Sequence, residues 1–345
     1  MLLRRLAKTW VVQRLKYIDL SAVPRWLDPN LSTASRYQHS IAVGKLSLQI
    51  RDGTEHERLL LTAAAVLHDV GNGPFPHISD QLMNEMLGFN HEGAVSFAFD
   101  NSPTRDSLIL KSFGLGLDEV ASIVKGEHEL SPFVNGDLDL DNADNVHRFM
   151  TTLLGKPLGE PSYHPAEIAA SFSLEAEEVE VSEGLWRKWL EDRGRVYRYV
   201  WGDRLNMVCW TMLGRALRIL KEDLTPRFFM MTNREAFGLI RLRLPELANG
   251  LKRKEFKLVL DTRYRELTGE ARKLSDPTTL RKVEDELCAE TGLEEWSTGL
   301  TVDQPLVNEN PDHWRVYLVV HQGREEPRFL LEDILSSSAV YANED

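Results

Sequence analysis

From residue 2 to about residue 273, apolar side chains recur at three- and four-residue spacing, punctuated by Gly and Pro. A chain with that period can satisfy its apolar stripes only by packing helix on helix. The clearest examples are "SRYQHSIAVGKLSLQI" and "ERLLLTAAAVLHDVG", and Gly71 stands where the second would end. The opening "MLLRRLAKTWVVQRLKYIDL" reads as one amphipathic helix of the same domain. Two long helices are expected in "LWRKWLEDRGRVYRYVW" and "RLNMVCWTMLGRALRIL". Past "SDPTTL" the character changes. "TLRKVEDELCAETG" keeps helical spacing, whereas "LTVDQPLV", "HWRVYLVVHQG" and "PRFLLED" alternate as strands, with "HQGREEP" as a hairpin turn. The expected fold is therefore mostly α, a helical domain over residues 1–275 with a small C-terminal α+β domain over 276–345.

Composition narrows the classes of function. The chain is 42% hydrophobic and 27% charged, the profile of a folded globular protein. With 53 acidic against 41 basic residues its net charge is −12, which disfavours a dedicated nucleic-acid binder. Two cysteines, Cys209 and Cys288, suggest neither a disulfide framework nor a thiolate metal site, so a reducing cytoplasm is expected. No apolar run reaches membrane-spanning length, and no membrane association is expected.

The chemistry lies in the N-terminal half. Five of the ten histidines fall between residues 39 and 91: His39, His56, His68, His77 and His91. In "LHDVGNGPFPHISD", His68 and Asp69 stand at a helix end, where adjacent side chains diverge by about 100° and the negative pole of the helix favours a cation. Taken alone, the pair reads equally well as a histidine at a helix C-terminus bonded to its neighbour. Joined by His39 from the preceding helix and a carboxylate from the helix beginning near Asp141, it makes a mixed nitrogen and oxygen set. Such a set suits one divalent ion per subunit (Mn, Fe, Zn, Co, Ni or Mg) with positions open to water. The natural use is phosphoester hydrolysis, with His77 or His91 protonating the leaving oxygen and Asp80 orienting one of them.

Taken in order, "RYQHS", "VLHDVGNGPFPH", "NHEG" and "LDLDNADNVHR" resemble the successive motifs of the HD-domain phosphohydrolases. The resemblance is to the branch of deoxynucleoside triphosphate triphosphohydrolases, and it extends to "VQRLKYI" and "LEDRGRVYRYVWGDR". It implies His39, His68, Asp69 and Asp141 as metal ligands and His77, Asp80 and His91 as catalytic residues, His91 being the acid. On the substrate side it places Arg36, Asn72, Asn142 and Asn145. It further implies a nucleotide or related phosphorylated small molecule as substrate, attack at the α-phosphorus, and a homo-oligomer, dimer or tetramer. The chain departs from the family where Asn72 replaces a His, Asn145 a Tyr and Asn142 a Lys, and where Leu20 stands at the position of a sugar-reading Gln.

Overall fold

Short-range capping sets the start of the two helices that carry the histidines. A computed structural model of the chain describes residues 1–153, 158–176, 181–263, 274, 276–303 and 315–322. Ser35 begins the Arg36–Leu46 helix with a reciprocal box: its hydroxyl accepts from the Gln38 backbone N–H, and its own N–H donates to Gln38 Oε1 at 2.9 Å. Thr54 and Glu57 make the same exchange ahead of the Glu55–Leu67 helix. Each box satisfies two of the amide donors that a helix start leaves without partners.

The Glu55–Leu67 helix is buried continuously from Leu60 to Leu67, as expected of an element surrounded on all sides. Packed around it are the Leu2–Leu6, Arg36–Leu46 and Leu117–Val124 helices. The Leu140–Thr152 helix lies against the 36–46 helix and also against the Glu183–Gly202 helix. At Gly44 the two capped helices pack closely, because a Cβ there would sit 2.3 Å from Val66 Cγ2.

The amphipathic N-terminal segment is not one helix. It divides into Leu2–Leu6 and Trp10–Arg14. Thr9 takes an extended backbone between them, and its hydroxyl donates to the Leu6 carbonyl at 2.6 Å, a local side-chain bond that competes with helix continuation.

Contacts divide the chain into a first unit, Met1–Gly202 with Thr225–Ala236, and a second, Asp203–Leu224 with Phe237–Asp345. The expected boundary at 275/276 does not follow this division. In the second unit, β1 (Phe256–Arg263), β2 (Thr298–Asp303) and β3 (Arg315–His321) form an antiparallel sheet in the order β1-β3-β2. β1 had been counted with the helical domain, although Phe256, Leu258 and Leu260 are buried in alternation with half-buried Lys257 and Val259, the two-residue period of a strand. The Arg204–Leu220 helix packs on this sheet, as does the Pro277–Thr291 helix on β2.

A buried ion cluster explains why the 204–220 helix belongs with the sheet. Arg215 Nη1 donates to Glu284 at 2.9 Å, Arg218 donates to both oxygens of the same carboxylate, and Glu284 also accepts from the Leu300 N–H at 2.8 Å. A buried carboxylate is tolerable only when so fully paired, and the pairing joins parts of the sequence that no local pattern connects. The strand expected in "PRFLLED" lies outside the described residues, as do the ends of the turn "HQGREEP" and of "LTVDQPLV". Cys209 and Cys288 are buried and are not joined in a disulfide. Among the described residues no helix is long and apolar enough to cross a membrane.

Gly44→Ala should lower stability by about 1–3 kcal/mol, because the added methyl group overpacks a buried helix contact. Equilibrium urea unfolding tests this; an unchanged midpoint would mean that the two helices do not meet at Gly44.

Candidate metal centre and active site

Two imidazoles and two carboxylates meet at the junction of the 36–46, 55–67 and 140–152 helices. His39 Nε2 lies 2.7 Å from Asp141 Oδ1 and 3.9 Å from Asp69 Oδ2. His68 Nε2 is 3.2 Å from His39 Nε2, 3.5 Å from Asp69 Oδ2 and 3.7 Å from Asp141 Oδ1. Ligand atoms sharing one ion at about 2.0–2.2 Å stand roughly 3–3.5 Å apart, so these separations suit a common cation.

Each ring nitrogen that faces the cluster is prepared by the nitrogen that does not. His39 Nδ1 donates to Asp144 Oδ2 at 2.7 Å, and Arg148 holds that carboxylate with Nε at 2.7 Å and Nη2 at 2.8 Å. His68 Nδ1 donates to the Ala65 carbonyl at 2.9 Å, across the last turn of its own helix. Both rings thereby present Nε2 to the centre, the arrangement by which outer partners set tautomer and aim in a metal site.

The donor set also fits a cation electrostatically. Burial by itself would depress the His39 pKa, but bonds to Asp141 and Asp144 outweigh it and raise the ring to about 10. Burial works the other way on Asp141 and Asp69, yet both carboxyls are held below the usual range. For Asp141 the opposing charges are those of His68, His39 and Arg36, and for Asp69 those of Arg36, His68 and His39. Asp69 Oδ1 accepts from Arg36 at 2.8 Å, whereas Asp69 Oδ2 is buried without a hydrogen-bond partner and faces the two imidazoles. A buried anionic oxygen in that position is what a metal ion would satisfy.

A second constellation adjoins the first through Arg36. Its Nη2 donates to His77 Nε2 at 2.9 Å, and a guanidinium only donates. His77 Nδ1 therefore carries the hydrogen that faces Asp80 Oδ2, at 3.3 Å. His91 Nδ1 donates to the same oxygen at 2.8 Å, and the two imidazoles meet edge to face with centroids 5.4 Å apart. Burial opposes both ionisations, but the Asp80 charge raises the His91 pKa, and His91 with His77 depresses that of Asp80. The ligating atoms of His77, Asp80 and His91 also lie within 4.8 Å of one another. With both Nδ1 atoms turned on one carboxylate and a guanidinium against His77, the trio is better suited to handling protons.

The connecting loop reaches this geometry through strained backbone. Phe75 and His77 have φ of 55° and 65°, a region that costs side chains other than glycine free energy. The Phe75 N–H is held by Asn233 Oδ1 at 2.9 Å, and its ring is buried. Gly71 does not end the helix, as its position had suggested; His68 is the C-cap, in right-handed conformation. A Cβ on Gly71 would lie 2.0 Å from the His91 carbonyl oxygen. The missing side chain is what lets the 91–94 turn close over the HD loop and bring His91 to Asp80.

Of the residues placed on the substrate side, Arg36 is turned inward onto Asp69 and His77. Asn72 is fully buried, and its amide donates to Asp69 Oδ1 at 2.6 Å and to the Asp69 carbonyl at 3.2 Å. It positions a candidate ligand, and its own amide oxygen is buried without a partner. The Asn142 amide donates to the Gly136 carbonyl at 3.2 Å, closing the turn before its helix. Asn145, one turn beyond Asp141, keeps a buried amide oxygen without a partner.

Four further residues shape the site. Asp144 and Arg148 share a helix face with Asp141 and Asn145, at offsets of three, four and seven that the sequence displays. Arg14, wholly buried and lowered by that burial to about 10, donates to the Val70 and Asn72 carbonyls at 2.9 and 2.6 Å and so pins the turn after Asp69. Tyr197 lies on the 183–202 helix. Burial raises its phenol pKa, and the charges of Arg193, Asp141 and Arg36 all reach it.

Comparison with known proteins agrees with this geometry. Residues 36–148 match the HD domain family. Over 140 residues the chain is 33% identical to the deoxynucleoside triphosphate triphosphohydrolase SAMHD1 of Gallus gallus, covering 36% of this chain and 23% of that protein. The Bos taurus protein of the same name is 29% identical over 143 residues, covering 36% and 24%. The chain thus spans about a quarter of the length of these relatives. A hypothetical protein from Aquifex aeolicus superposes with a TM-score of 0.68 at 18% identity, over 97% of this chain and 95% of that one. A phosphohydrolase from Bacteroides thetaiotaomicron gives 0.64 at 16%, over 92% and 94%. These last two likenesses establish the HD-domain fold.

Elemental analysis of the purified protein should find close to one divalent ion per chain, lost in Asp69→Asn and Asp141→Asn. Asp144→Asn should retain the fold and lose about 10- to 100-fold in metal affinity. A parent that binds no ion would remove the centre altogether.

Proposed function

We propose that this chain, which carries an HD domain over residues 36–148, is a metal-dependent phosphohydrolase acting on a nucleotide or related phosphorylated small molecule. The observation that carries the reading is the pairing of a His39–His68–Asp141 group able to hold a cation, with Asp69 beside it, and a His77–Asp80–His91 trio, joined by Arg36. The activity for which the SAMHD1 relatives are named, deoxynucleoside triphosphate triphosphohydrolase, makes the ester between the 5′-oxygen of a deoxynucleoside and its phosphorus the bond to test first. The same reading makes the protein a cytoplasmic homo-oligomer, which a measured solution mass would test.

His39, His68, Asp69 and Asp141 would hold a divalent ion, which would supply Lewis acidity toward a phosphoryl oxygen and acidify water. The chain's own residues do the rest. Asp144 and Ala65 keep the two imidazoles in the tautomer that leaves Nε2 as ligand. Asp80 Oδ2 fixes His91 through Nδ1, leaving Nε2 to donate a proton to the departing oxygen. Because the Asp80 charge stabilises the imidazolium, His91 stays protonated above the ordinary histidine value of about 6.5. Arg36 ties the two groups so that His77 and the Asp69 ligand move together.

The decisive assay loads the protein with metal and offers deoxynucleotides, ribonucleotides, cyclic nucleotides and simple phosphate esters, identifying the products. His91→Ala should lower kcat by about 10²- to 10⁴-fold with metal content unchanged. The parent should lose kcat on a basic limb above the usual histidine range. In Asp80→Asn that limb should move to lower pH, since the raised pKa depends on the Asp80 charge. An unmoved limb would remove His91 as the acid.

A further inference from the structure

We infer that Asn233 is a positioning residue for the proposed reaction: its side chain ties the loop that leads to His77 and Asp80 to the start of the helix that carries Arg36 and His39. The inference rests on the phosphohydrolase reading above and adds to it a residue that belongs to neither constellation.

Asn233 is fully buried, and its amide is used from both ends. Oδ1 accepts the Phe75 N–H at 2.9 Å, and Nδ2 donates to Asp19 Oδ2 at 3.0 Å. Neither bond serves its own helix. Thr232 and Glu235 close that helix start by themselves. The Glu235 N–H donates to the Thr232 hydroxyl at 3.3 Å, and the Glu235 carboxylate accepts from the Thr232 N–H and hydroxyl at 2.7 and 2.8 Å. The place of this buried amide is therefore explained by what it joins.

At one end the bond falls on strained backbone. Phe75 and His77 both have positive φ, a conformation that only surrounding contacts can hold. The Phe75 carbonyl accepts from the Ile78 and Ser79 N–H groups, each at 3.1 Å. It thus opens the Ile78–Leu87 helix, whose N-cap, His77, gives it no side-chain bond. The set of Phe75 decides where His77 and Asp80 stand, and Asn233 holds Phe75 by its N–H.

At the other end Asp19 is pinned beside Arg36. It forms an isolated bridge with Ser35, flanked by the Leu20 N–H on the Ala34 carbonyl and the Arg36 N–H on the Ile18 carbonyl, both at 3.0 Å. Ser35 is the N-cap of the 36–46 helix. The bonds close a ring. Arg36 reaches His77 through Nη2 at 2.9 Å, His77 follows Phe75 by two residues, Asn233 joins Phe75 to Asp19, and Asp19 returns through the backbone to Arg36. Opening the ring at Asn233 leaves the loop to relax toward commoner backbone. The groups that handle protons then lose an alignment that matters to the transition state more than to a bound substrate.

The test compares the Mn²⁺-loaded full chain with its variants on whichever ester the parent turns over fastest among the four common deoxynucleoside 5′-triphosphates, the matching 5′-monophosphates and p-nitrophenyl phosphate. Asn233→Ala should lower kcat about 10- to 100-fold, with KM and metal content at the parent's values, the split expected when only transition-state alignment is lost. Hydrogen exchange should quicken in peptides covering residues 70–80 and keep the parent's rate in the 55–67 helix. Asn233→Asp, which sets a second carboxylate against Asp19, should lose at least as much kcat. Combining it with Asp19→Asn should restore most of the loss, because donor and acceptor exchange places and the bond re-forms. Where Asn233→Ala does not retain metal, Asp19→Ala, at the half-buried end of the same bond, carries the comparison and should show the same split. A kcat at the parent's level in the alanine variant, or no recovery in the paired exchange, overturns the inference and leaves the phosphohydrolase standing. No hydrolysis of any of these esters by the metal-loaded parent overturns both.

Discussion

The bonds on the two sides of His39 organise this half of the molecule. One nitrogen is fixed by Asp144, itself held by Arg148, while the other lies against Asp141 one turn earlier on the same helix. The imidazole therefore cannot turn without breaking a buried bond, which is costly where no water can replace it. It clasps the 36–46 helix to the 140–152 helix and at the same time aims Nε2 at His68 and Asp69. Fold and site are stabilised by the same contact. Removing either Asp141 or Asp144 would leave one nitrogen of a buried ring without its partner.

A second constraint lies in the loop that follows Asp69. Arg14 holds its first turn through two carbonyls, Asn233 captures the Phe75 amide, and Gly71 admits the 91–94 turn. These contacts compensate for the positive φ at Phe75 and His77 and leave His77 and His91 facing one carboxylate. The strain thus falls where the proposed chemistry needs orientation, and the surrounding packing over-determines it. Arg36 links this loop to the ligand cluster, so the positions of the proposed acid and of the cation site are not independent.

Much of this could be read before any coordinates. The capped helices announce themselves by Ser35 with Gln38 and by Thr54 with Glu57, and the polar face of Asp141, Asp144, Asn145 and Arg148 follows from a period of 3.6 residues. The place of Asn72 in the loop said nothing about which way it faces; burial and its bond to Asp69 decide that. Tyr197 is one of several aromatic residues at helical spacing, and only the packing of the 183–202 helix on the 140–152 helix brings it within reach of the Asp141 charge. β1 was overlooked although its alternation is visible, because a basic run precedes it and a single strand has no partner in its own sequence.

The amino-acid sequence by itself determined the helical class and singled out His39, His68, Asp69 and Asp141, with the His77, Asp80 and His91 trio, as the candidate site residues. These depend on local period and on residue type, which the chain carries wherever it folds. Tertiary structure alone decided which nitrogen of each histidine faces the centre, that Arg36 joins the two groups, that Asn72 supports a ligand, and that the 204–220 helix belongs with the sheet. Those outcomes rest on hydrogen bonds and ion pairs between segments up to about a hundred residues apart, such as His39 with Asp144 and Arg215 with Glu284. Such bonds are selected by burial and geometry, neither of which exists until the helices have packed.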